Sequence, residues 1–92
     1  MIISFNETKI TGNWILDGAK VVEDENCKRI NWLRSNYLMK IATDETGWII
    51  LYQDPEDKRY WELVYEHGEL QGGGPPSLIQ LSKEEATLKY AI

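Results

Sequence analysis

The sequence predicts an α+β fold: a mostly antiparallel sheet of four to six strands with one central helix and a short C-terminal helix. Three observations lead there. Residues 37–43, 48–53 and 59–65 are runs rich in aromatic and branched side chains, separated by short polar turns, as consecutive antiparallel strands require. Residues 24–35 carry acids first and basic residues later, with Cys27, Ile30 and Leu33 recurring at helical spacing. Ser82-Lys83-Glu84-Glu85 has the form of a capping box, a hydroxyl at the N-cap and a carboxylate three residues on.

Taken in chain order, Ile2-Ile3-Ser4-Phe5 and Trp14-Ile15-Leu16 suggest one or two N-terminal strands, and the following Asp17-Gly18 is a hairpin signal. The helix then spans Asp24 to Ser35, its apolar stripe continued by Tyr37. The three central strands are joined by Asp44-Glu45-Thr46-Gly47 and Asp54-Pro55-Glu56-Asp57-Lys58. With four-residue loops, the second starting at Pro55, the pairing places Met39, Ile41, Trp48, Ile50, Tyr52, Trp61, Leu63 and Tyr65 on one face, the expected core. The other face carries Lys40, Ile49, Leu51, Gln53, Tyr60, Glu62, Val64 and Glu66, too apolar for ordinary exposure and too acidic for a dry interior. A change of one residue in either loop would exchange the faces, because side chains alternate along a strand. His67-Gly68 and Gly72-Gly73-Gly74-Pro75-Pro76 break the regular structure, Ser77 to Leu81 forms a further short strand expected at an edge, and the terminal helix runs through Lys89.

Ninety-two residues and 10.7 kDa fit one domain, expected over 1–92, since a typical domain takes about 100 to 150 residues. With 42% hydrophobic and 27% charged residues the chain is a folded one, not a disordered tail. Ten Lys and Arg against fifteen Asp and Glu leave a net charge of −5, which disfavours nucleic acid and anionic membrane as direct partners and steers a basic protein toward the chain. The longest apolar run, Trp48 to Tyr52, is far shorter than the roughly 20 residues of a bilayer-spanning helix or the roughly 7 to 15 of a signal core. Cys27 stands alone, so no internal disulfide forms, and a soluble protein of the reducing cytoplasm is expected.

The residues that carry chemistry elsewhere lack their context here. His67 is the one histidine, lies in a turn signal, and has no activated Ser or Cys beside it. One His and one distant Cys make no zinc site, and no cofactor is implied. Cys27, on an apolar helical stripe, is read as a small hydrophobe. The glycine triplet is followed by prolines instead of Gly-Lys-Ser, so it is a backbone crossing and not a phosphate loop. Paired carboxylates match those of a glycoside hydrolase only arithmetically, because so short a chain leaves little room for a deep cleft. What remains is the mixture of acids and aromatics in residues 52–63, the side chains with which protein interfaces are anchored and steered.

Leu51-Tyr52-Gln53-Asp54-Pro55, Arg59-Tyr60-Trp61-Glu62-Leu63 and Gly72-Gly73-Gly74-Pro75-Pro76 resemble the immunity protein 27 family in order and spacing. The resemblance extends to Gly12-Asn13-Trp14, Val21-Val22 and Cys27-Lys28-Arg29-Ile30-Asn31-Trp32-Leu33. Lys58 departs from it where a Gly is expected, and Gln71 where a His is expected, departures that bear on partner specificity. The resemblance implies a bacterial cytoplasmic immunity protein, without catalytic activity, that binds the C-terminal domain of a polymorphic or contact-dependent inhibition toxin, often a basic nuclease. On that reading Asp54, Glu56, Asp57, Glu62 and Glu66 supply charge to the toxin and Tyr60 an aromatic anchor, while Trp48, Trp61 and Gly72 to Gly74 are scaffold. The rival reading is a small-ligand or enzymatic domain in which the Gly-Pro loop and His67 line a pocket; a weakly active toxin is a third.

Overall fold

Alternation of side chains along the central strands decides which residues meet the helices. A computed structural model, which describes residues 3–65 and 74–92, contains seven strands and two helices: β1 (Lys9–Thr11), β2 (Trp14–Asp17), β3 (Lys20–Glu23), α1 (Glu25–Asn36), β4 (Met39–Thr43), β5 (Ile50–Gln53), β6 (Tyr60–Val64), β7 (Ser77–Leu81) and α2 (Lys83–Tyr90). Five strands form one antiparallel sheet in the order β1-β7-β6-β5-β4, and β2 and β3 form a separate hairpin closed by Gly18 at φ 66°. The fold is α+β, as the sequence predicts.

The β5–β6 pairing sets Tyr52 opposite Trp61 and Ile50 opposite Leu63, and β7 adds Leu78 beside Leu63. Ile30 and Leu33 of α1 close over this face together with Ile3, Ile10 and Leu38, and Trp61, Leu63, Leu78, Ile30 and Leu33 lose all contact with solvent. Their burial supplies most of the driving force for folding, at about 25 cal/mol per Å² of apolar surface. α1 begins where Asp24 turns its carboxylate back on the Cys27 N–H (2.8 Å), an N-cap that satisfies one of the helix's free donors. Across the sheet, α2 covers the opposite face: Ala86 and Leu51 of β5 are fully buried there, and Glu62 of β6 nearly so. The capping box at Ser82 and Glu85 is formed in both directions.

Three expectations need correction. Met39, Ile41 and Trp48 are not core. A bulge between Lys40 and Ala42 inserts Ile41 as an unpaired residue, so Met39 pairs with Gln53 and turns to the far face. Met39 is then 52% exposed, and Trp48, ahead of β5, is 66% exposed and lies perpendicular to the Tyr65 ring, centroids 6.1 Å apart. The first hairpin loop is also longer than expected, since Thr43 pairs with Ile50; Asp44 holds it by accepting from the Thr46, Gly47 and Ile49 amides. Second, β7 is an interior strand, because β1 pairs along its outer side from Lys9–Ile79 to Thr11–Ser77. Third, the N-terminal strand is Lys9–Thr11; Ile3 is a buried plug, Ser4 to Glu7 form a turn, and Ile2 lies outside the described residues. The Asp54–Arg59 loop keeps the expected four-residue length, with the Asp54 N–H donating to the Arg59 carbonyl.

Two contacts tie the N-terminal segment to the rest. Arg29 of α1 grips Glu7 with both terminal nitrogens (2.7 and 2.8 Å), and this bond holds the Glu7 carboxyl below its ordinary 4.5, at about 2. Gly12 donates to the Pro76 carbonyl at 2.9 Å, and a Cβ there would collide with that oxygen and with the Cys27 thiol. Gly12→Ala should therefore cost about 1 to 3 kcal/mol, read as a lower denaturation midpoint at unchanged slope. Because the Glu7 carboxyl is depressed in the folded state, its contribution is present above about pH 4.5 and drains away as the pH falls toward 2. Denaturant titrations between pH 6 and 2 should show a smaller loss of stability in Glu7→Gln than in the parent.

Candidate functional site

The acid-rich segment folds into the β5–β6 loop, and its geometry begins with a buried carboxylate. Asp54 directly follows β5 at 1% exposure, where its Oδ1 accepts from the Tyr37 hydroxyl (2.8 Å) and from the amides of Glu56 (2.8 Å) and Asp57 (3.4 Å). The Asp54 carbonyl takes the Lys58 N–H at 3.0 Å, so one residue pins both ends of the turn. Tyr37 reaches it from the C-cap of α1 and also touches Glu56 Oε2 at 3.2 Å. Burial, with Asp54 and Glu56 alongside, pushes the Tyr37 hydroxyl well above its ordinary range.

Arg59 anchors the other side. Its Nε donates to Asp57 Oδ2 (2.7 Å), its Nη1 to the Glu7 carbonyl (2.6 Å) and to Gln80 (3.3 Å), and its Nη2 to the Ser4 carbonyl (3.0 Å). The guanidinium also lies 5.0 Å from the centre of the Trp61 ring. No local pattern in the sequence marks this arginine, because two of its partners are backbone carbonyls of Ser4 and Glu7, at the other end of the chain.

The expected site residues separate into two groups. Glu56 and Asp57 are exposed, and Tyr60 is half-buried beside the loop. Asp54 and Glu62 are inside. Glu62, 6% exposed, accepts from the Tyr90 hydroxyl at 2.5 Å and from Lys89 Nζ at 2.6 Å, which fastens α2 to the sheet. Burial beside that carboxylate drives the Tyr90 hydroxyl upward. Glu66, and with it His67 and Gly72–Gly73, lies outside the described residues, whereas Gly74 is buried at φ 77°. Cys27 is fully buried, with its Sγ 3.3 Å from the Asn13 carbonyl, and burial raises its thiol. Among the described residues no group of three or more His, Cys, Asp or Glu is placed to hold a metal ion.

Two features have no signature in the sequence. Between the loop and the start of α2 lies an open recess of about 350 Å³ whose walls include Gln53, Lys58, Tyr60, Leu81, Ser82 and Lys83. Lys58 sits at φ 65°, a left-handed conformation that favours glycine, which explains why glycine is the residue expected there. The β2–β3 hairpin also exposes Ile15, Leu16 and Val21, at 51%, 76% and 61%. Asp54→Ala would strand the Tyr37 hydroxyl and two loop amides. It should lower stability by about 1 to 3 kcal/mol in chemical denaturation, and Tyr37 should titrate closer to its ordinary range.

The arrangement holds a charged loop and an aromatic residue in fixed positions at one end of the sheet, a display suited to recognition by contact. No helix among the described residues is long and apolar enough to cross a membrane. No curated protein and no solved structure matches the chain. The sequence profile of the family Immunity protein 27 matches residues 16–82 of the 92, from β2 through the N-cap of α2. The chain belongs to the immunity protein 27 family, the immunity proteins that guard against a toxin.

Proposed function

We propose that this protein neutralises its toxin by stoichiometric binding in the cytoplasm, covering the active site or substrate groove of the toxin's C-terminal domain, a basic nuclease delivered by a contact-dependent inhibition or other polymorphic toxin system. The observation that carries the reading is the loop itself: exposed Glu56 and Asp57 and half-buried Tyr60 are held by a frame of buried Asp54 and half-buried Tyr37 and Arg59 in a protein of net charge −5. A preorganised loop loses little entropy on binding, and negative charge beside it speeds encounter with the positive groove a nuclease presents to phosphates. Inhibition is by occlusion and needs no covalent step.

Within the proposed site Glu56, Asp57 and Tyr60 touch the toxin, and Glu66 adds charge. Asp54 and Glu62 contribute through the position of the loop and of α2, since their oxygens are engaged inside the fold.

Co-expression with the toxin domain encoded beside it, followed by co-purification and a nuclease assay, tests the function directly. The expected result is a stable complex with nuclease activity suppressed at one equivalent; a toxin that remains unbound and fully active in the protein's presence overturns it. Glu56→Lys with Asp57→Lys should slow association about tenfold or more at low salt and weaken the salt dependence of the on-rate. Stopped-flow mixing at several ionic strengths reads both, and an unchanged rate removes these two residues from the site.

A further inference from the structure

The β5–β6 loop carries a cation where the functional reading needs only acids. Of the charged side chains lining the recess between this loop and α2, Asp57 is paired with Arg59, with Nε at 2.7 Å from Oδ2. Arg59 in turn is engaged by Ser4, Glu7 and Gln80. Lys58 and Lys83 remain, both exposed and neither in an ion pair among the described residues. Each is locally unfavourable. Lys58 holds φ 65°, a left-handed conformation that a non-glycine residue adopts at a cost. Lys83 opens α2, at the positive end of the helix dipole. Two lysines without an ion-pair partner among the described residues therefore line one recess of a protein whose net charge is −5, together with Gln53 and Tyr60.

We propose that this recess seats a carboxylate side chain of the toxin, with Lys58 as the residue that makes the binding specific. The inference rests on the toxin-binding reading above, but not on the toxin's being a nuclease. An acidic group is the complement because the recess presents positive charge and hydrogen-bond donors, while the adjacent Glu56 rejects a misplaced anion and favours a neighbouring cation. The contact is thus of mixed sign: an acidic side chain set within basic surroundings on the toxin meets a lysine set within acidic surroundings here. A toxin with a neutral or basic residue at that point would leave Lys58 unpaired on binding and be discriminated against.

Lys58→Gly separates recognition from folding, because the backbone bonds at this position survive the change: Lys58 N–H to the Asp54 carbonyl, and Gln53 Nε2 to the Lys58 carbonyl. The melting temperature should stay within a few degrees of the parent or rise, while the dissociation constant of the co-purified toxin domain increases about tenfold or more. Lys58→Glu should weaken binding further, Lys58→Arg should retain most of it, and Lys20→Glu on the distant hairpin should leave it unchanged. Parent-level affinity in Lys58→Gly and Lys58→Glu overturns the proposal, as does equal weakening by Lys20→Glu, which would mean that overall charge and not this recess is sensed. A parent protein that binds no toxin at all refutes the functional reading instead, so the two failures are distinguishable.

Discussion

The guanidinium of Arg59 joins its own loop and strand to two segments remote in sequence, the N-terminal turn and β7. It gathers the Ser4 and Glu7 carbonyls of the N-terminal turn, the carboxylate of Asp57 in the β5–β6 loop, the amide of Gln80 on β7 and the face of Trp61 in the core. A planar group with five donors in fixed directions can do this, and a lysine ammonium with the same charge cannot. Its hydrogen bonds are charge-assisted and partly shielded, so each is worth more than an exposed contact, about 1.5 to 3 kcal/mol. The loop, the N-terminal turn and the sheet are thereby held as one body, and the geometry of the recess and of the displayed acids follows from it.

The acidic character of the chain consequently has two uses. Some carboxylates are structural: Asp54 organises the turn, Glu62 fastens α2 through Tyr90 and Lys89, and Glu7 locks the N-terminal turn to α1 through Arg29. Others face solvent, and of these Asp57 is already half-answered by Arg59. The charge available to a partner is smaller and more patterned than a net −5 conveys. A surface of mixed sign discriminates between partners better than a uniformly negative one, since any misplaced like charge is repelled.

Covering both faces of the sheet is what allows a buried glutamate on β6. The segment that sequence alternation marks as the outer face, with Leu51 and Glu62, is roofed by α2, and Tyr90 and Lys89 come down from that helix to satisfy the carboxylate. A face too apolar for water and too acidic for a dry core is accommodated by a helix that brings its own partners for the charge. The same roof forms one wall of the recess beside Lys58. Fold and candidate site are thus coupled through the first turn of α2.

The residues alone determined the elements whose cause is local. Helix α1 follows from the Asp24 cap and the spacing of Cys27, Ile30 and Leu33, α2 from its capping box, and the β5–β6 pairing from a loop whose length Pro55 and Asp54 enforce. Whatever depended on contacts between distant segments was decided in three dimensions. The bulge at Ile41 reversed the face of Met39, the strand Lys9–Thr11 turned β7 from an edge into an interior strand, and Arg59 found carbonyls at the other end of the chain. Short-range patterns record capping, turn chemistry and periodicity. The side on which a strand is covered, and the distant groups a charge meets, depend on how the whole chain closes its core, and no local run of residues carries that information.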